Sequence, residues 1–269
     1  MKMYQVDAFT DQLFSGNPAA IIITAQWLDE SVMQNIAIEN NLSETSFVRK
    51  IDDQNYEIRW YSPVKEVGFC GYGTLASSFV IFKENPQMTS IAFHVTEMGM
   101  FYVHKCDDGL IAMNFPVQTP ERIQDIPDML KDALQQEFTD VYINPQAYLV
   151  VYPSVQAVLK EQPNFEKIKQ LGGRRVAITA KNNLFNNELK NIDIVSRYFT
   201  PSMGIDEDPV TGSLHTSLIP LWQSHFAKEN ITAYQASKRG GILHCKLLKN
   251  NRIEISGQCR LYMQAELFL

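Results

Sequence analysis

Two stretches of this sequence follow the same plan. Residues 57–82 read EIRWYSPVKEVGFCGYGTLASSFVIF, and residues 193–222 read DIVSRYFTPSMGIDEDPVTGSLHTSLIPLW. In each, a strand pattern that ends in two aromatic residues is followed by Ser/Thr-Pro, a loop, a glycine and an apolar helix. The two glycines, Gly71 and Gly212, are 141 positions apart, about half of the 269-residue chain. The pattern predicts an internal two-fold repeat.

Both helices of the repeat are apolar almost all the way round, which is typical of helices buried at the centre of a domain. Strand-like segments surround them, and the proline-containing stretch Gln118 to Asp128 marks the crossover between the halves. We therefore predict two lobes, 1–117 and 118–269. A two-fold repeat would place two helix N-termini at one cleft between the lobes. Helix N-termini bind anions, so the predicted ligand is a small molecule that carries a carboxylate.

Composition excludes several classes of protein. The 24 Lys and Arg residues are outnumbered by 30 Asp and Glu residues, and a net charge of −6 argues against nucleic-acid binding. No apolar stretch approaches the ~20 residues that cross a bilayer. The four cysteines have no C-x-x-C spacing, and no Cys/His cluster indicates a metal. With no apolar signal segment at the N-terminus, we expect a cytoplasmic protein with reduced cysteines, without a metal or a membrane partner.

Two carboxylates are candidates for acid–base chemistry. Glu44 lies at a loop-to-strand start beside Leu42 and Phe47, and a carboxylate in partly apolar surroundings has a raised pKa. It could then hold or accept a proton near neutral pH. Asp208 precedes the second buried helix and is the candidate second carboxylate of the cleft. Each also has a structural interpretation, Glu44 as a surface or capping residue and Asp208 as a loop-stabilising one.

The two helix starts supply the candidate binding groups. These are Cys70, Gly71, Tyr72, Gly73, Gly212 and Ser213. A thiol at a helix N-terminus has a lowered pKa, so Cys70 is either a third acid–base candidate or a packed supporting residue. Ser213 lacks a G-x-S-x-G context, and residues 71–73 match neither phosphate-loop pattern. His215, one turn into the helix, is expected to be a packed histidine rather than a ligand.

The sequence resembles the phenazine-biosynthesis PhzF-like isomerase family, which has the diaminopimelate epimerase fold. The resemblance covers nearly the whole chain, and the order and spacing of its short motifs make it specific. The matching segments are DAFT (7–10), GNPAA (16–20), NLSET (41–45), CG (70–71), TLA (74–76), EDPVTGS (207–213) and QASKRGG (235–241).

The resemblance implies an α+β fold of two pseudo-symmetric lobes, each a mixed, barrel-like sheet around a central helix, in which the last strand can pack back on the first lobe. It also implies a homodimer and catalysis without metal or cofactor. The family's catalytic glutamate, which moves a proton within dihydro-hydroxyanthranilate, falls on Glu44, and its second-site residues fall on Asp208 and Ser213. Where the family usually has histidine in Cys-Gly-His, this chain has Tyr72, which donates a hydrogen bond but shuttles protons poorly at neutral pH.

Three functional hypotheses follow. The first is an isomerase in which Glu44 moves a proton within a small anionic substrate. The second is a racemase or epimerase in which Glu44 and Cys70 act on opposite faces of a stereocentre, although the repeat places Thr211 where a second thiol would stand. The third is a non-catalytic protein that binds anions.

Overall fold

The computed structural model describes residues 1–95, 99–183, 189–226 and 228–269, which form two units. Unit 1 contains Met1–Asn114 together with Glu254–Leu269, and unit 2 contains Phe115–Ile253. The predicted lobes are 1–117 and 118–269, with a last strand that can pack back on the first lobe. In the structure the chain from Glu254 to Leu269 belongs to unit 1.

The elements of the first part of the chain alternate between strands and two long helices. They are β1 (Lys2–Ala8), β2 (Asn17–Thr24), α1 (Glu30–Asn40), β3 (Glu44–Lys50), β4 (Asn55–Tyr61), β5 (Glu66–Val67), α2 (Gly71–Glu84), β6 (Ser90–Val95), β7 (Gly99–Lys105) and β8 (Ile111–Pro116).

The later elements include more short helices. They are β9 (Glu121–Arg122), α3 (Asp128–Ala133), β10 (Asp140–Ile143), β11 (Ala147–Val151), α4 (Val155–Lys160), α5 (Phe165–Lys169), β12 (Arg175–Lys181), β13 (Ile194–Thr200), β14 (Ile205–Glu207), α6 (Gly212–Gln223), β15 (Asn230–Gln235), β16 (Gly241–Leu248), β17 (Arg252–Gly257) and β18 (Cys259–Glu266).

The sheet of unit 1 is mixed. β1 pairs antiparallel with β2, and β2 pairs parallel with β3 after a crossover through α1. β3 pairs antiparallel with β4, which pairs antiparallel with β5 and, after a crossover through α2, parallel with β6. β6 then pairs antiparallel with β7. β18 adds a further antiparallel strand along β1, which explains why the end of the chain belongs to this unit.

Unit 2 repeats this order of pairings and directions. β10 pairs antiparallel with β11, and β11 pairs parallel with β12 across α4 and α5. β12 pairs antiparallel with β13, which pairs antiparallel with β14 and, after a crossover through α6, parallel with β15. β15 pairs antiparallel with β16. The predicted two-fold repeat is therefore confirmed strand by strand.

The central helices are buried as predicted. Every residue from Gly71 to Ser78 is buried, and α2 packs against β1, β2 and β3. In unit 2, α6 packs against β12 and β16 and contains Pro220. Proline has no N–H to bond the carbonyl four residues earlier, and that carbonyl, of Thr216, instead accepts the N–H of Gln118 at 3.1 Å. None of the helices in the described ranges is long and apolar enough to cross a membrane.

Candidate active site

The start of α2 is shaped by Cys70. This residue is the N-cap, with extended backbone angles (φ −139°, ψ 110°), and its Sγ accepts the N–H of Gly73 at 3.2 Å. Thr74 donates both its N–H (3.1 Å) and its Oγ1 (2.7 Å) to the Cys70 carbonyl. Within the described ranges, the N–H groups of Gly71 and Tyr72 have no partner. The predicted anion-binding donors are therefore present in the first turn, where the helix dipole is positive.

Gly73 lets this helix start approach the sheet closely. A Cβ at this position would lie 2.6 Å from Ser46 Oγ, closer than side-chain carbons approach such atoms, and 3.0 Å from Trp60 Cδ1, a tight contact. Ser46 and Trp60 are direct cross-strand partners in the register of β3 and β4. Their side chains thus lie on the face of the sheet that contacts α2, and a larger residue at position 73 would force Ser46 or the helix start to move.

Glu44 lies on the same face as Ser46. It is the first residue of β3 and stands two positions before Ser46, so the pleat points both side chains to one side, with their Cα atoms ~7 Å apart. Phe47 points to the other face and packs with Met33 and Ile36 of α1. The structure thus places the half-buried Glu44 on the side of the sheet that α2 covers, together with the residues at its start.

Three polar side chains beside this helix start are buried without hydrogen-bond partners in the described part of the chain. They are Ser46 (Oγ), Trp60 (Nε1) and Tyr72 (OH), and each residue is at most 5% exposed. Leaving such a group buried and unpaired lowers the free energy of unfolding by about 1–3 kcal/mol. Tyr72, which replaces the family histidine, therefore has a hydroxyl that is free to donate.

In unit 2, Asp208 is fixed in the loop before α6. Its N–H donates to the Tyr198 carbonyl at 2.9 Å, and its Oδ2 accepts the hydroxyl of Thr211, the N-cap of α6. Gly212 is buried and Ser213 half-buried at the start of this helix, and their N–H groups have no partner in the described ranges. The structure thus brings Asp208, Gly212 and Ser213 together within unit 2.

His215 is a packed histidine, as predicted. It is fully buried, and burial lowers its pKa to about 4, although its contact with the Thr211 carbonyl acts in the opposite direction. The ring is therefore neutral at pH 7, and Nδ1, 2.8 Å from that carbonyl, carries the proton. Thr74 occupies the same position of the repeat in α2 and bonds to the Cys70 carbonyl in the same way.

Gln235 is a residue of the Asp208 and α6 site that sequence reasoning missed. It lies in one of the motifs that carry the family resemblance, but its position gave no indication of a role. In the structure its buried amide bonds to both Asp208 and Thr211. No group of three or more His, Cys, Asp or Glu side chains that could hold a metal ion occurs in the parts of the chain that the structure describes.

The model of the phenazine biosynthesis-like protein family matches residues 6–265 of this chain. The chain belongs to this family. It is 40% identical over 269 residues to an uncharacterized isomerase of Pseudomonas aeruginosa, covering 100% of this chain and 99% of the relative. It is 32% identical over 285 residues to the human phenazine biosynthesis-like domain-containing protein, covering 99% of each.

Solved structures confirm the fold class. A phenazine biosynthesis protein of the PhzF family from Enterococcus faecalis is 38% identical and superposes with a TM-score of 0.90, covering 100% of this chain and 99% of that one. A probable proline racemase from Agrobacterium radiobacter has a TM-score of 0.66 at 9% identity, covering 100% of this chain and 93% of that one. At that identity the likeness shows the fold alone. This chain therefore has the predicted diaminopimelate epimerase-like α+β fold with two pseudo-symmetric lobes.

Proposed function

We propose that this protein is a cofactor-independent isomerase that moves a proton within a small carboxylate-bearing substrate. Relatives named as isomerases, from Pseudomonas aeruginosa (40% identical) and Halalkalibacterium halodurans (37% identical), support an isomerase-type activity. The observation that carries the proposal is the shared sheet face of Glu44 and the α2 start. The candidate base, Glu44, thereby lies on the same side of the sheet as the unpaired N–H groups of Gly71 and Tyr72.

In the proposed mechanism, the Glu44 carboxylate removes an acidic proton from a substrate carbon. The electron pair of that C–H bond moves into the substrate as an enolate-like charge, and the N–H groups of Gly71 and Tyr72 stabilise that charge or the substrate carboxylate. Glu44 then returns its proton to a different carbon, so that the double bond shifts and the carboxylate is regenerated. The reaction has no net gain or loss of atoms or electrons.

The other site residues have binding roles in this proposal. The Tyr72 hydroxyl donates to a polar substrate group, because its oxygen is buried without a partner in the described part of the chain. Asp208 orients a polar substrate group, and the N–H groups of Gly212 and Ser213 bind negative charge. Cys70 supports the helix start by occupying the N–H of Gly73.

The test is deuterium uptake from D₂O into a panel of small cyclic and amino carboxylic acids, followed by mass spectrometry. General acid–base catalysis contributes roughly 10²–10⁴-fold, so Glu44→Gln should lower the rate by at least ~100-fold while the fold is kept. Glu39→Gln, at an exposed position of α1, is the matched control and should retain full activity. Full activity in Glu44→Gln would refute the assignment. Tight binding of an acid without exchange, unaffected by Glu44→Gln, would instead indicate an anion-binding protein.

One observation favours the racemase or epimerase alternative. Cys70 is the N-cap of α2 and its Sγ accepts the N–H of Gly73, so the sulfur lies at the helix start that shares a sheet face with Glu44. If Glu44 and Cys70 act on opposite faces of a stereocentre, deuterium appears at that stereocentre with inversion, and Cys70→Ser abolishes turnover. The proton-shift proposal expects Cys70→Ser to keep most of its activity.

A further inference from the structure

The side chain of Gln235 joins the two residues that define the start of α6. It is the last residue of β15, is fully buried, and is paired with Ser196 in the parallel register of β13 and β15. Its Oε1 accepts the N–H of Thr211 at 2.8 Å. Its Nε2 donates to the Asp208 carbonyl at 2.8 Å and to Thr211 Oγ1 at 3.2 Å.

These contacts give the chain of hydrogen bonds a single direction. An amide nitrogen can only donate, so Thr211 Oγ1 accepts from Gln235. The Thr211 hydroxyl must then use its one proton elsewhere, and it donates to Asp208 Oδ2. Because a carboxylate can only accept, the donors run from Gln235 through Thr211 to Asp208. The amide of Gln235 thereby determines which way the Thr211 hydroxyl points.

The same end of β15 also holds the rest of this loop. Ala236 donates its N–H to the Ser196 carbonyl at 2.7 Å, which fixes the chain after β15 against β13. Ser237 Oγ donates to the Pro209 carbonyl at 2.8 Å and accepts the N–H of Gly240 at 3.1 Å. Gln235 thus lies on a strand rather than on a loop. A precisely placed functional group requires such a rigid supporting element.

We propose that Gln235 is a positioning residue that aims the Asp208 carboxylate and the N-terminus of α6 at the substrate. This inference rests on the binding role of Asp208 in the proposed function. Misplacing a group by about 1 Å can cost 10²-fold in rate, so the loss of the Gln235 amide should be felt in turnover even though Gln235 itself touches no reacting atom.

Two substitutions distinguish the role of the amide oxygen, which accepts a hydrogen bond, from that of the amide nitrogen, which donates. Gln235→Glu is nearly isosteric and keeps an acceptor for the Thr211 N–H, but its carboxylate competes with Asp208 for the Thr211 hydroxyl. Gln235→Met removes both ends. Gln146→Met is the matched control in the same unit, because Gln146 Nε2 bonds to Gln118 at 3.0 Å and has no bond to Asp208 or Thr211 among the described contacts.

The activity test is a double-mutant cycle with Asp208→Asn in the 269-residue chain. Deuterium uptake into the acid of the panel that the wild-type protein exchanges fastest should fall about 10–100-fold in both Gln235 variants and stay within about 2-fold in the Gln146 control. In the Asp208→Asn background the Gln235 substitutions should lower the rate of deuterium uptake by less than about 3-fold further. The carboxylate that Gln235 positions is already absent from that background. Equal losses in both backgrounds would overturn the proposal, since Gln235 would then act independently of Asp208.

A second readout does not depend on activity. Hydrogen exchange at the Thr211 amide should accelerate at least ~10-fold in Gln235→Met and stay near the wild-type rate in Gln235→Glu, which keeps the acceptor. Unchanged protection in Gln235→Met would overturn the proposal. A wild-type protein that exchanges no proton with any acid overturns the proposed isomerase, and with it the role of Asp208 in turnover, even where the amide exchange behaves as expected.

Discussion

A single buried ring, that of His215, shows how the surroundings of a residue decide its chemistry. The sequence suggests a histidine close to a candidate binding group, since Ser213 lies two positions away. Burial keeps the ring neutral, as expected of a packed histidine, and Nδ1 bonds to the Thr211 carbonyl. Thr74 makes the equivalent bond in the other copy of the repeat, so the position serves the helix start rather than proton transfer.

The depressed pKa of His215 predicts a pH dependence of stability. The pKa is about 4 in the folded protein and 6.5 without burial, so between these values the unfolded state binds a proton that the native state excludes. The free energy of unfolding contributed by this site is complete above pH ~6.5 and is lost as the pH falls towards 4. A difference of about 2.5 pKa units corresponds to about 3 kcal/mol.

Urea unfolding of wild type and His215→Thr between pH 7.5 and 4.5 measures this dependence. Threonine can keep the bond to the Thr211 carbonyl, as Thr74 does in α2, so the variant should show a shallower loss of stability with falling pH. His225→Thr, at an exposed position, should retain the wild-type slope. Identical slopes for wild type and His215→Thr would contradict the prediction.

At the scale of elements, α3 depends on a residue far along the chain. The helix ends at Ala133, and the fully buried Glu161 accepts the next free N–H groups, those of Gln135 (2.9 Å) and Gln136 (3.0 Å). Its Oε2 also accepts the hydroxyl of Tyr152 at 2.6 Å. One carboxylate therefore satisfies three donors, and it connects the end of α3 to the end of α4.

We predict that Glu161→Gln lowers the free energy of unfolding by about 1–3 kcal/mol. The amide presents an NH₂ group to one of the backbone N–H donors, so at least one buried donor loses its acceptor. Chemical denaturation measures the change. Glu166→Gln removes a solvent-exposed ion pair with Lys169 and should leave the stability close to that of wild type. A Glu161→Gln variant as stable as wild type would show that the three bonds contribute no net stability.

At the scale of the whole molecule, the chain closes on itself through β18. Seven residues of β1 pair antiparallel with β18, from Lys2 opposite Glu266 to Ala8 opposite Cys259. The N-terminus continues the contact, because Met1 and Leu267 exchange two backbone hydrogen bonds of 2.8 and 2.7 Å. Unit 1 is thus completed by a segment more than 250 positions away from its first strand.

Deleting residues 259–269 should therefore destabilise unit 1 and promote aggregation, because β1 would expose an unpaired edge. Deleting only Phe268 and Leu269, which are 90% and 72% exposed, should leave the unfolding transition close to that of wild type. Urea unfolding and size-exclusion chromatography of the two truncations distinguish the outcomes. A stable, monodisperse 259–269 deletion would show that β18 is dispensable for the unit.

Local sequence determined much of the fold. Strand alternation, the apolar helices and the Gly-containing helix starts depend on neighbours within a few residues, so the repeat and the elements that bear Glu44, Cys70 and Gly212 could be predicted. The family motifs added the two-lobe fold, which the solved structures confirm. Short elements such as α4 and β10 were not predicted, because a segment of four to six residues is too short to show a clear hydrophobic period.

Tertiary structure decided the contacts between distant segments. Gln235 meets Asp208 across 27 positions, Glu161 meets Gln135 across 26, and β18 meets β1 from the other end of the chain. None of these pairings leaves a local pattern, because a side chain's hydrogen-bonding type does not specify its partner. The partner is chosen when the strands pair and the helices pack, since every polar group that becomes buried must then find its bond among whatever groups the fold has brought near.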